Sequence, residues 1–178
     1  RTEPSERLTP GAALVDDPQL SAPRDRLDEQ LLIALTLLAP PNAPYRGEVL
    51  RGAFARNHLE HGSMGLFHRH VAPGDDGGLA VFSVANLVEP GSFSVSQMDA
   101  IVTPGICVFM QLPGPVDGIQ GFQMMLALAD SLRDELGGEL RDENRSTLTG
   151  QGTARMREQV VEHAARLRRN IGSKGLLD

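Results

Sequence analysis

The chain has 178 residues, 40% hydrophobic and 22% charged, enough for one domain with a proper core. Its formal net charge of −6 argues against partners that need a basic surface, namely nucleic acid and anionic lipid. The single cysteine, Cys107, excludes an internal disulfide framework and fits a reducing compartment, and no apolar run approaches the roughly 18–20 residues that span a bilayer.

Residues 1–28 hold Pro4, Pro10, Pro18 and Pro23 among scattered charges, with no sustained periodicity, and read as a flexible linker or tail. The chain begins at Arg1 rather than Met, which points to a fragment of a longer protein with room for a membrane anchor upstream. The folded domain is expected over 29–178. Its first element is Leu31–Leu38, a continuous apolar run of strand length. A loop, APPNAP, follows. Gly47–His58 then places Val49, Leu50, Ala53 and Phe54 on one helical stripe, and Gly62 stops it.

Three runs between Met64 and Gln111 alternate with period two, the mark of strands whose side chains point to opposite faces. Turns fall at Asp75–Gly78, Pro90–Gly91 and Pro104–Gly105, and Ser96–Ala100 fits a short helical turn. One face carries Phe67, Phe82, Val84, Val88, Ile106, Val108 and Met110. The other carries Met64, Leu66, Ala85, Leu87, Cys107 and Phe109, diluted by His68, Ser83 and Gln111. A sheet apolar on both faces either has elements packed on both sides or leaves one face open for a partner.

The second half is more helical. Asp117 with Gln120 resembles a capping box. Ile119, Phe122, Leu126, Ala129, Leu132 and Leu136 then keep helical spacing up to a stop at Gly137–Gly138. Glu139–Arg141 and Ser146–Leu148 are able to hairpin around Asp142–Asn144. Thr149 caps a last helix over about Gly152–Arg169, with Met156, Val160, Ala164 and Leu167 as its buried stripe. The order β-α-β-β-β-α-β-β-α predicts an α+β fold, a mostly antiparallel sheet with helices on one face. Nothing remains to cover the other face apart from the N-terminal tail.

The segments FHRHVAP, VFSVANLVEPGSF, TPGICVFMQLP and DSLRDELGG together resemble the C-terminal domain family of the bacterial division protein ZipA, collinearly from about Leu31 to Arg169. The resemblance implies a split β-α-β architecture, six strands with three helices on one face. It implies a non-enzymatic adaptor without cofactors. Its bare sheet face would bind the C-terminal tail of FtsZ, the tubulin-like GTPase of the division ring. An N-terminal anchor and linker would then tether filaments at the cytoplasmic face of the inner membrane, and the domain itself is expected to be a monomer.

By collinear match the family's groove-lining positions fall on Leu32, Met64, Leu66, Leu87 and Phe109. Ala34, Thr36, Ala85 and Cys107 share that face and are small enough to leave a concavity. Two positions depart from the family pattern. A methionine becomes Leu87, which keeps volume and loses the adaptable thioether. A basic residue two positions later becomes Glu89, which reverses a charge at the groove rim.

Other chemistry finds little support. His68-Arg69-His70 puts two imidazoles on one face of a strand, with no second ligand cluster in the sequence. Cys107 has apolar neighbours and no base partner. Asp75–Gly78 lacks the ligand spacing of a calcium loop. No acid, base and nucleophile constellation can be assembled. The competing reading from another class is a ferredoxin-like ligand-binding or regulatory module that dimerises through its apolar sheet faces.

Overall fold

Strand β1 (Leu31–Leu38) buries every second residue, with Ile33, Leu35 and Leu37 at 1% exposure, because its period-two pattern presents one face to the core. The computed structural model describes residues 29–74 and 78–175. The expected linker over 1–28 and most of the expected Asp75–Gly78 turn lie outside the described residues.

After β1 come β2 (Tyr45–Arg46), α1 (Gly47–Arg56), β3 (Glu60–His61), β4 (Phe67–Arg69), β5 (Phe82–Asn86), β6 (Val102–Thr103), β7 (Gly105–Leu112), α2 (Gly118–Leu136), β8 (Glu139–Arg141) and α3 (Gly150–Lys174). The main sheet has six strands in the order β3-β4-β5-β7-β1-β8, and β2 pairs with β6 in a small second sheet. Every pairing is antiparallel. This is the expected α+β class.

The core lies on one side of the main sheet. Ile33, Leu35, Val84, Ile106, Val108 and Met110 meet Leu50 and Phe54 of α1, Phe122, Met125 and Leu132 of α2, and Met156 and Val160 of α3. Three tilted or edge-on rings, Phe54, Phe67 and Phe93, close its β4 end with centroids 4.7 to 5.7 Å apart. Asp117 caps α2 by accepting from the Gln120 N–H at 3.2 Å, Thr149 caps α3 by accepting from the Gly152 N–H at 3.1 Å, and Gly137 ends α2 at φ 72.

Several local expectations change. α1 stops at Arg56, because Asn57 turns its side chain back onto the Ala53 carbonyl and His58 adopts φ 59. Gly62 therefore follows a strand rather than ending a helix. Met64 is not on a strand: it sits at φ 58 in the 3-10 turn Ser63–Gly65. β5 ends at Asn86, whose side chain accepts from the Val88 N–H and the Thr103 hydroxyl. Val88 thus lies past the strand at 43% exposure and is no part of the inner face. Ser146–Leu148 makes only a bridge from Thr147 to Arg141, since Asp142 draws the Asn144 and Ser146 N–H groups into a turn. The sixth strand is β3 instead. α3 runs to Lys174, and His163 rather than Ala164 or Leu167 completes its buried stripe, with Nε2–H donating to the Glu29 carbonyl at 2.6 Å.

Candidate peptide-binding face

The strands that build the core carry a second face outward, and the register arranges it in rows across the sheet. Ala34, Phe109, Ser83, His68 and Glu60 form one row. Thr36, Cys107 and Ala85 form the next, and Leu38 pairs with Gly105 beyond them. Leu32 stands opposite Gln111 on the other flank. Residues paired across an antiparallel sheet share a face, so these side chains are neighbours.

No described helix covers this face. Leu32 is 60% exposed and Leu87 43%, while Ala34, Thr36, Ala85, Cys107 and Phe109 are half-buried. The small residues make a floor between larger ones, as their volumes require. Leu87 folds over Gly105, where an added Cβ would meet Leu87 Cδ2 at 3.0 Å and the Leu37 carbonyl oxygen at 2.8 Å. Glycine is the residue that fits there. Burial pushes the Cys107 thiol up from its ordinary pKa, which favours the protonated form at neutral pH.

One end of the face deepens into a groove of about 550 Å³ that includes Met64, Leu66 and Phe109 in its wall. Only these three of the nine expected residues line it. The other six, Leu32, Ala34, Thr36, Ala85, Leu87 and Cys107, form the shallower floor and flank beside it. Met64, although outside any strand, still reaches the groove and is 79% exposed. Leu66 is 8% exposed and stays outside the main core cluster. Its burial belongs to the groove wall.

The deep end also holds polar groups whose partners the sequence did not reveal. His68 is buried, and its Nε2–H donates to the Ser63 carbonyl at 3.0 Å. Because that carbonyl can only accept, Nδ1 accepts from the Ser83 hydroxyl at 2.7 Å. The pair ties β4 to β5 and fixes the turn that carries Met64. Among the described residues no group of three or more His, Cys, Asp or Glu is placed to hold a metal ion.

Residues 31–159 match the family model described as "ZipA, C-terminal FtsZ-binding domain". The chain belongs to this family. It is 39% identical over 160 residues to the cell division protein ZipA of Marinobacter nauticus, covering 90% of this chain and 46% of that protein. It is 35% identical over 164 residues to the ZipA of Pseudomonas fluorescens strain Pf0-1, covering 92% and 54%. Against the ZipA of Stutzerimonas stutzeri the identity is 34% over 151 residues, covering 85% and 55%. The chain spans about half the length of the curated relatives it matches. ZipA is a family of cell-division adaptors rather than enzymes. No helix among the described residues is long and apolar enough to cross a membrane.

Proposed function

We propose that this domain is a non-enzymatic adaptor of the division ring whose uncovered sheet face takes the C-terminal tail of FtsZ. Through segments outside this chain, it would hold FtsZ filaments at the cytoplasmic face of the inner membrane. The observation that carries the reading is the bare face itself: Leu32 and Leu87 stand exposed beside a floor of small residues, with Phe109 between them. A protein that spends two central strands on an uncovered apolar surface has a use for that surface. The matching family model is named for FtsZ binding, which supplies the partner.

The mechanism is burial of apolar surface. Each Å² removed from water contributes about 25 cal/mol before ordering of the tail is subtracted. A flexible tail loses part of that gain on binding, so affinity is expected on the order of micromolar and dominated by a few anchors. A polymer presents many tails at once, and avidity turns weak single contacts into a durable tether. The domain works as a monomer in this scheme, since dimerisation through the face would occlude it.

The test is a titration of a labelled FtsZ C-terminal peptide from the same organism, with a scrambled peptide as control. Saturable binding of the native sequence alone supports the reading. Equal binding of both peptides, or none, sinks it. Sedimentation at the same concentrations separates an adaptor monomer from a face-to-face dimer.

A further inference from the structure

The row that crosses the middle of the face does not end at β1. Thr36 pairs on its other side with Arg141 of β8, and Arg141 bridges to Thr147. Leu140, next to Arg141, points inward beside Leu37, which puts Arg141 on the outward face. Thr147, Arg141, Thr36, Cys107 and Ala85 thus lie side by side, and only Arg141 is charged.

Its guanidinium has unused donors. Nε is shielded from solvent and has no hydrogen-bond partner among the described residues. Glu139, two residues back on the same face, is its ion-pair partner, with Oε1 3.6 Å from Nε, too long for a hydrogen bond, and that same oxygen accepts from the Thr147 hydroxyl, so the pairing is loose and partly exposed. Nη1 makes one long contact, 3.4 Å, to the Arg145 carbonyl. The shielded Nε cannot reach a ligand, but the outer Nη1 and Nη2 edge of the fork stands at the edge of an apolar floor and can take a carboxylate through two parallel hydrogen bonds.

We propose that Arg141 is the charged recognition residue of this face and takes a carboxylate of the bound segment at the β8 edge. The inference rests on the reading that the face binds a peptide. It also fixes a spacing. From β8 across β1 to β7 is two strand spacings, about 10 Å, and Phe109 lies one row further along β7, about 7 Å, so the two positions are about 12 Å apart. An extended segment lying across the strands covers that in about three to four residues. The acidic side chain therefore sits about three to four residues from the one that meets Phe109.

The experiment is a cycle between protein and peptide. Wild type, R141A, R141K and R141E are titrated with the FtsZ tail peptide, and with peptides in which each acidic residue in turn becomes its amide. R141A should weaken binding about 2- to 5-fold at low salt, with the loss shrinking at high salt. R141E should weaken it further, and R141K should restore part of the loss. One amide peptide, and only one, should bind wild type and R141A alike. Unchanged affinity in R141A and R141E overturns the proposal, as does an equal effect of every amide peptide. Should R141A fold poorly, R141K against the amide series still decides. If wild type binds no tail peptide, the peptide-binding reading itself fails. Binding that ignores Arg141 removes this inference alone.

Discussion

Replacing Phe109 by alanine tests the face assignment at its centre. The ring stands between Ala34 on β1 and Ser83 on β5, two small neighbours, and points away from the core side chains of Val108 and Met110. A phenylalanine carries about 200 Å² of surface, and a ring no more than about a third exposed leaves roughly 60 Å² of it to lose on binding. At about 25 cal/mol per Å² that is about 1.5 kcal/mol, and the ligand loses a similar area against it. Packing of the bound segment onto the alanine surface offsets part of the sum, so the expected loss is about 1–3 kcal/mol, the range of an aromatic hot spot. Stability should fall as well, by about 1–2 kcal/mol, because much of the ring already packs on its neighbours in the free domain, but by less than the roughly 3–5 kcal/mol of a fully buried phenylalanine. Peptide titration and denaturant unfolding of Phe109→Ala measure the two numbers side by side. A stability loss above about 3 kcal/mol with unchanged affinity would place Phe109 in the core and invert the faces.

Further outcomes follow from other parts of the chain. Removal of residues 1–28, which carry no periodic apolar stripe, should leave the unfolding midpoint and peptide affinity nearly unchanged; tighter binding would mean that the segment competes for the face. Glu89→Lys, at an exposed position, should strengthen binding to an acidic-then-apolar tail by no more than about 5-fold, and the gain should fade in high salt. Weaker binding at low salt would show that Glu89 meets a basic residue of the peptide. Cys107 should alkylate slowly at pH 7 and speed up only beyond the ordinary thiol range, since burial raises its pKa, and saturating peptide should slow it further. Reaction at the rate of a free thiol would mean that the floor is more open than the structure has it.

The legible parts of this fold are those in which periodicity alone decides. β1 and β7 show their two faces directly in the sequence, and α2 and α3 show their stripes and caps. What stayed hidden depends on partners distant in sequence. β3 is two residues long and exists only because β4 lies beside it. Val88 keeps the strand pattern yet leaves the strand, because Asn86 spends its side chain on the Val88 N–H and the Thr103 hydroxyl. The period of its neighbours predicts a strand at Met64, but two glycines and a hydrogen bond from the Phe93 N–H to the Gly65 carbonyl, 2.7 Å, hold it in a turn. Arg141 was the largest omission from the site. Its place beside Thr36 follows from the β1–β8 pairing, which no short-range pattern encodes.

The two faces of this sheet are not independent, because one backbone register sets both. A slip of one residue between β1 and β7 would send Phe109 inward and Val108 outward, exchanging the proposed anchor for a core residue. Something must therefore pin the register at the site, and Gly105 is well placed to do so. It pairs with Leu38, its carbonyl accepts from the Leu87 N–H at 3.1 Å, and its missing side chain makes the space into which Leu87 folds. A side chain there would push against the Leu37 carbonyl on β1 and the Leu87 methyl at once. Core packing and groove shape thus meet at one glycine. The apolar outer face keeps its arrangement of side chains because the inner face, through the shared register, cannot tolerate any other.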